Sequence, residues 1–273
     1  MTCKNVAILF FVLAVGVIAK KESSQGEIKF EKLKDGYPAK LNEFPHNAAI
    51  LKNGAFHCNA AILTSRYIIS TAACVDNLDG YTITVRTGSN DYANGGNVYE
   101  MEQAFPYKDA GQIGSKPEGA DYKYNIGLIK LKTPIKLGLA QRVVSLEDQP
   151  PTEKISGEGT VSGWGSYGTN EDSTVLQKLS VVMDAKDYCD DVPNFEPDIH
   201  HICTYLPSTG RGKQQCAGGD GSPLIYESRL RGIAVGKVKC GTGAPAIFLS
   251  TYYLKNFIEE RLKEDIVAQE ECD

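Results

Sequence analysis

Short apolar segments, each ended by turn residues, constrain the fold of this 273-residue chain more than any other feature. Residues 81–86 read Y-T-I-T-V-R, and this alternation of apolar and polar side chains is typical of a half-buried strand. Uninterrupted apolar runs predict fully buried strands at 60–63, 67–70, 126–131, 160–163 and 230–235. Because Gly, Asn, Asp and Pro separate these runs, the pattern favours sheets joined by turns.

One helix is predicted, at the C-terminal end of the chain. Ser250 or Thr251 would cap it, and its apolar side chains recur at helical spacing with Glu, Lys and Arg between them. These apolar residues are Leu254, Phe257, Ile258, Leu262 and Ile266. The sequence therefore predicts an all-β barrel or sandwich protein with a C-terminal α-helix.

The N-terminal residues predict export from the cell. Residues 1–19 carry one lysine before an apolar run that is too short to cross a bilayer, and the small residue Ala19 stands where a signal peptidase would cut. Residues 1–19 are therefore predicted to be a signal peptide, and the protein is expected to be secreted and extracellular. The polar residues 20–32 are predicted to be a propeptide or leader, with a second candidate cleavage site after Lys32.

Composition argues against several classes of function. A net charge of −5 argues against nucleic acid as a partner, because phosphate binding favours a basic face. No later segment approaches membrane length, so no membrane partner is expected. The four histidines, His46, His57, His200 and His201, lack a metal-ligand spacing and are interpreted as surface or core contacts. No metal and no other cofactor are therefore expected.

The cysteines predict disulfide bonds in an oxidising compartment. Eight are present, and Cys3 leaves with the signal peptide, so the mature chain retains Cys58, Cys74, Cys189, Cys203, Cys216, Cys240 and Cys272. Spacing alone does not give their pairing, and the odd number leaves at least one cysteine unpaired within the chain.

Several motifs occur in a characteristic order. Residues 54–74 contain F-H-C-N-A-A-I-L and end in T-A-A-C, residues 124–131 read Y-N-I-G-L-I-K-L, and residues 161–165 read V-S-G-W-G. Residues 216–224 read C-A-G-G-D-G-S-P-L. The corresponding motifs of chymotrypsin-like serine proteases are F-C-G-G-S-L-I, T-A-A-H-C, N-D-I-A-L-L-K-L, V-T-G-W-G and C-x-G-D-S-G-G-P-L. From Leu33 to about Leu262 the chain therefore resembles the chymotrypsin/trypsin-like serine protease family, and it looks most like secreted insect chymotrypsins.

This resemblance implies a fold for residues 33–273. It implies two packed six-stranded antiparallel β-barrels, at about 33–140 and about 141–250, followed by the C-terminal helix and an acidic tail in 251–273. It also implies the bridges Cys58–Cys74, Cys189–Cys203 and Cys216–Cys240. Cys272 is then unpaired, and we expect either a free or adducted thiol or the link of a disulfide-bonded dimer.

The residues at the family's catalytic positions depart from its pattern. The base precedes the last cysteine of T-A-A-H-C, and that residue is Ala73; the carboxylate that orients the base corresponds to Asn125. The nucleophile lies four residues after Cys216, at Asp220, or at Gly221 if the Asp is aligned with the family's Asp. A serine nucleophile needs a hydroxyl, an imidazole and a carboxylate, and none of these positions supplies its group.

Neighbouring positions in the same loop are altered as well. Ser222 lies two residues beyond the nucleophile's position, which moves its side chain out of reach of an inherited base, while the backbone of Gly218 remains as an oxyanion donor. In the family, the N-terminus freed by cleavage, here Leu33, pairs with the Asp before the serine. That position is Gly219, and Asp220 is the nearest substitute.

The specificity pocket also departs from the family. Its base is Gln214, so no selection for Lys or Arg is expected. The strand that would pair with a substrate has Val235, Gly236 and Lys237 where the family has S-W-G, so an aromatic wall is missing and a cation stands at the pocket mouth. Two interpretations stay open: drift after the loss of catalysis, or a remodelled cleft that holds an acidic or unusual ligand.

These residues predict a secreted, non-catalytic serine protease homolog, a zymogen-like pseudoenzyme that acts by binding protein. The resemblance suggests a regulator, cofactor or decoy in a protease or immune pathway, or a venom or salivary effector. Its partner would be an active protease, an inhibitor or a substrate protein. One alternative is a chymotrypsin-like endopeptidase with residual or unorthodox activity that uses Asp220 or Ser222, and another is a bulk secretory product without a specific partner.

Overall fold

The computed structural model describes residues 37–107, 124–150, 157–165, 173–184, 189, 199–205, 219–235 and 245–270. Several predicted features lie outside the described residues: the signal peptide 1–19, the leader 20–32 with Lys32, the positions Gln214, Gly218, Gly236 and Lys237, the bridge Cys216–Cys240, and Cys272.

Six antiparallel strands close the first barrel. After the short strand β1 (Tyr37–Pro38), the chain forms β2 (Asn47–Lys52), β3 (Ala55–Ile62), β4 (Tyr67–Ser70), the one-turn helix α1 (Ala72–Val75), β5 (Ile83–Thr87), β6 (Asn97–Pro106) and β7 (Gly127–Leu131). The barrel order is β2-β3-β4-β7-β6-β5, and β5 pairs with β2 to close the ring.

Six further strands close the second barrel. The chain forms β8 (Ser145–Leu146), β9 (Gly157–Gly165), β10 (Ser173–Asp184), β11 (His201–Tyr205), β12 (Pro223–Tyr226), β13 (Arg229–Ala234), β14 (Ala246–Ser250) and the helix α2 (Lys255–Glu270). The ring runs β9-β10-β11-β14-β13-β12 and returns to β9, while β1 pairs with β10 and β8 pairs with β13. The predicted fold, two six-stranded antiparallel barrels with a C-terminal helix, is confirmed.

Two hairpin turns hold residues in the left-handed region. Asn53 and Gly54 join β2 to β3 with φ values of 53° and 81°, as in the type I′ turn that matches the twist of paired strands. Glu227 and Ser228 join β12 to β13, also with positive φ values, of 47° and 63°. Because neither Glu227 nor Ser228 is glycine, the second turn has a steric cost that the first turn largely avoids.

Buried apolar side chains fill both barrels and the space between them. Ile50, Ile62 and Ile129 belong to the core of the first barrel, whereas Val181, Leu224 and Phe248 belong to that of the second. A third cluster joins β4 and β7 to β13, β14 and α2 through Ile69, Leu128, Ile233, Leu249 and Ile258. The two barrels therefore share a continuous apolar interface.

Among the described residues, two of the disulfides that the resemblance implies are present. Cys58–Cys74 ties β3 to α1 across a Cα–Cα distance of 6.1 Å. Cys189–Cys203 links Cys189 to the middle of β11, across a Cα–Cα distance of 5.3 Å. The first of these bridges fixes the segment that carries Ala73.

Three local expectations from the sequence were wrong. Helix α2 begins at Lys255 rather than directly after Ser250 or Thr251, because the Thr251 hydroxyl donates to the carbonyl of Leu230 in β13 at 2.5 Å instead of capping a helix. Helix α1 was not predicted. Tyr81 was expected in the buried row of a strand, but β5 begins at Ile83 and Tyr81 is exposed.

Neither described helix has the length and apolar character to cross a membrane.

Candidate functional site

Ala73 lies on α1, where the sequence forms one turn for a clear local reason. Thr71 caps this turn, since its hydroxyl accepts the backbone N–H of Cys74 at 3.2 Å. The helix packs closely on β7, because a Cβ added to Gly127 would lie only 2.2 Å from the side chain of Val75. Ala73 itself is exposed and presents a methyl group to solvent.

Asn125 lies beside Ala73, two residues before β7. Its Oδ1 accepts the backbone N–H of Ala73 at 2.9 Å, and the residue is only 7% exposed. The structure thus brings together the positions that the resemblance assigns to the base and to its orienting carboxylate. An amide oxygen accepts this bond as a carboxylate would, but the side chain carries no charge.

The 219–222 loop supplies the third position. The Asp220 carbonyl accepts the Asn59 N–H at 3.0 Å, and the N–H of Gly221 donates to the Ala234 carbonyl at 3.0 Å. The Ser222 carbonyl accepts the Ala234 N–H at 2.9 Å, so the loop leads directly into β12 beside β13. Asp220 is half-buried, and the negative charge of its carboxylate acts to raise the pKa of His57.

The Ser222 hydroxyl faces the protein interior. The residue has no exposed surface, and a Cβ added to Gly163 in β9 would lie 2.4 Å from Ser222 Oγ. The hydroxyl therefore packs against β9 rather than projecting into solvent. A polypeptide bound outside the barrels cannot reach it in this arrangement.

His57 lies within electrostatic range of the Asp220 carboxylate. Burial and the Lys52 ammonium lower the pKa of His57, and a hydrogen bond to the Cys74 backbone and the Asp220 carboxylate oppose this shift. Its Nε2 is shielded and has no hydrogen-bond partner among the described residues. The net effect lowers the pKa of the ring, which favours its neutral form.

The remaining predicted positions add little to the described site. Val235 is completely buried, and its N–H donates to the Ile247 carbonyl at 2.9 Å, which gives it a structural place in the second barrel. Within the described residues, no group of three or more His, Cys, Asp or Glu side chains could hold a metal ion.

Sequence reasoning missed Asn59, which contacts the 219–222 loop and both barrels. Asn59 is completely buried, and its side chain hydrogen-bonds to both backbone groups of Trp164. One signal was present in the sequence: Asn59 follows Cys58, where the family motif F-C-G-G has glycine.

Comparisons with known proteins agree with this geometry. A family model described as Trypsin matches residues 33–258. The glandular kallikrein of Sus scrofa is 24% identical over 84% of this chain and 96% of its own, and hypodermin-B of Hypoderma lineatum is 23% identical over 84% and 86%. Neuropsin, a serine protease of mouse brain, has a TM-score of 0.70 at 20% identity, covering 83% of this chain and 98% of its own. A mutant of human heparin binding protein has a TM-score of 0.67 at 22% identity, covering 84% and 96%. The chain belongs to the trypsin family of chymotrypsin-like serine proteases.

Proposed function

We propose that this protein is a secreted, non-catalytic member of the trypsin family that acts by binding another protein. The observation that carries the proposal is the chemistry of one small region. A methyl group, a neutral amide and a carboxylate occupy Ala73, Asn125 and Asp220, and the neighbouring Ser222 hydroxyl is buried. Acyl transfer by this fold needs an accessible nucleophile beside a base, and these residues offer neither.

The expected loss of activity is large. Disabling a serine protease triad costs roughly a millionfold in turnover and leaves ~10³–10⁴-fold over water from binding and oxyanion stabilisation. His57 does not replace the missing base, because its Nε2 is shielded on the protein side. Turnover by this chain should therefore fall below the range of a standard peptide assay.

A binding function uses what remains of the site. The half-buried Asp220 carboxylate and His57 ring interact electrostatically, and the exposed methyl group of Ala73 lies on the adjoining helix α1. One protein with the same fold is named for the heparin that it binds, so the fold is compatible with a binding function. Secretion is proposed from residues 1–19, together with disulfides of the kind that form in oxidising compartments.

The decisive experiment is turnover of a broad fluorogenic peptide library by the purified protein, before and after cleavage at Lys32. The matched control is a revertant with Ala73→His and Asn125→Asp and with G-D-S-G-G in place of residues 218–222. We expect no turnover by the native chain and measurable turnover by the revertant. Turnover well above a mock preparation, together with labelling by a serine-directed phosphonate, would contradict the proposal.

Binding is tested separately from catalysis. A protein recovered from secreted fluid should bind the native chain saturably and lose at least about tenfold in affinity to Asp220→Lys, which reverses the charge at the site. Glu227→Lys, at the exposed tip of the β12–β13 turn, is the control for a general change in charge. Equal loss in both variants, or no saturable partner at all, would contradict a role for this site in binding.

A further inference from the structure

Asn59 joins the two barrels through a single side chain. Its Nδ2 donates to the Trp164 carbonyl at 3.0 Å, and its Oδ1 accepts the Trp164 N–H at 2.7 Å. Both residues are almost completely buried, so these hydrogen bonds form away from competing water. The Asn59 side chain in β3 therefore hydrogen-bonds to both the N–H and the carbonyl of Trp164 in β9.

The backbone of Asn59 holds the 219–222 loop directly. Its N–H donates to the Asp220 carbonyl at 3.0 Å, and its own carbonyl accepts the Ser70 hydroxyl at 2.7 Å. Gly221 lies against the same carbonyl with a φ of +87°, and a Cβ there would lie 1.9 Å from the Asn59 oxygen. With the Gly221 N–H bound to Ala234 on the other side, the loop is fixed between β3 and β13.

The side-chain amide of Asn59 also lies close to Gly219, at the start of the 219–222 loop. A Cβ added to Gly219 would lie 3.4 Å from Asn59 Nδ2 and 3.8 Å from the Trp164 carbonyl oxygen. An acidic side chain at this position, and any N-terminal ammonium paired with it, would have to share that region with the amide. A neutral amide with both ends paired orders the region without the cost of burying an ammonium.

We propose that Asn59 organises the 219–222 loop in the uncleaved chain, so that this wall of the site forms without cleavage after Lys32. The hydrogen bonds that support the loop come from residues well beyond the cleavage site, in β3 and β13. A partner would therefore meet the same loop before and after cleavage. The proposal concerns the order of the loop and holds whether the site binds or cleaves.

The test compares two forms of the full protein: one secreted with its leader, and one whose signal peptide is fused directly to Leu33. Amide hydrogen exchange is measured at Gly221 and Trp164, and fluorescence reports on Trp164, the single tryptophan of the chain. We expect equal protection and equal emission in the two forms. Asn59→Ala removes the two hydrogen bonds that hold β3 against Trp164, so the main-chain contact between Asn59 and the loop should open more often; exchange at Gly221 should be at least about tenfold faster, with red-shifted emission, in both forms.

Asn47→Ala is the matched control variant. Asn47 is 3% exposed, and its Oδ1 accepts the Ser162 hydroxyl at 2.8 Å, so it joins the first barrel to β9 as Asn59 does, but it lies on β2, which among the described residues makes no main-chain hydrogen bond to the 219–222 loop. It should lower global stability without a specific change at Gly221. If Asn59→Ala does not fold, Asn59→Ser keeps a small uncharged polar group, loses the two-sided pairing with Trp164, and is compared with Asn47→Ala by the same exchange and fluorescence measurements.

Two results would overturn the proposal. In one, Gly221 is protected only in the form that begins at Leu33. In the other, the Asn59 variants leave the loop as well protected as Asn47→Ala does.

Discussion

His46→Phe should make the stability of the protein less sensitive to acid. His46 lies just before β2, and its ring meets Phe44 edge-on at a centroid distance of 6.0 Å. Its Nε2 is shielded from solvent without a hydrogen-bond partner among the described residues. Burial lowers the pKa of His46 to about 4 from an ordinary value of about 6.5, so the folded protein resists a protonation that the unfolded chain accepts.

The direction and size of the effect follow from these two pKa values. Between about pH 6.5 and pH 4 the unfolded chain binds more protons at this residue than the folded protein does, so the free energy of unfolding falls as the pH falls. The loss attributable to His46 is about 1.4 kcal/mol at pH 5.5 and about 2.5 kcal/mol at pH 4.5, and it vanishes above about pH 7.

The assay is urea unfolding of the wild type, His46→Phe and His46→Gln at pH 7.5, 5.5 and 4.5. Other titrating groups are common to all three proteins and cancel in the difference between wild type and variant. We expect this difference to change by about 2.5 kcal/mol in favour of both variants between pH 7.5 and pH 4.5. A difference that stays constant across this range would refute the reasoning.

Three further changes test the packing, each by urea unfolding at neutral pH. Ser228→Gly should raise the free energy of unfolding by about 0.5–1 kcal/mol, because glycine adopts a positive φ without steric cost; an unchanged midpoint would argue against strain in the turn. Arg231→Leu should lower it by about 3–5 kcal/mol, because the ion pair with Glu147 is about 5% exposed on both sides; the double variant with Glu147→Leu should recover most of the loss, and additive losses would contradict this. Gly221→Ala should lower it by at least about 3 kcal/mol because its Cβ meets a backbone oxygen, whereas Gly138→Ala, with nothing within 4 Å, should change it little.

Local patterns predicted the strands well and the ends of other elements poorly. The run at 67–70 coincides with β4, because a short apolar segment between turn residues has few other ways to be buried. The start of α2 was misplaced because the Thr251 hydroxyl binds carbonyls of β13, a contact between distant segments. Tyr81 was misassigned because its ring is covered by the Lys52 ammonium at 3.5 Å instead of by the barrel core.

Some residues of the candidate site could likewise be predicted from the sequence, and others could not. Ala73 and Asn125 were aligned with the family's motifs from the sequence, and in the structure the Ala73 N–H donates to Asn125 Oδ1. The role of Asn59 could not be predicted, because its partner Trp164 lies 105 residues later in the other barrel. A single departure from a glycine motif marked the position, but nothing in the sequence indicated what the amide would bind.

The residues that shape the site and those that would supply its chemistry are held by different constraints. Gly221 and Gly163 have no room for a side chain, so the course of the loop tolerates little change at either position. Ala73 and Gly219 are exposed, and Asp220 is only half-buried, so side chains at these three positions can change with little effect on packing. The revertant also replaces Asn125 and Ser222, which are 7% and 0% exposed, so its free energy of unfolding is measured beside its turnover, and only a folded revertant makes the turnover a test of chemistry.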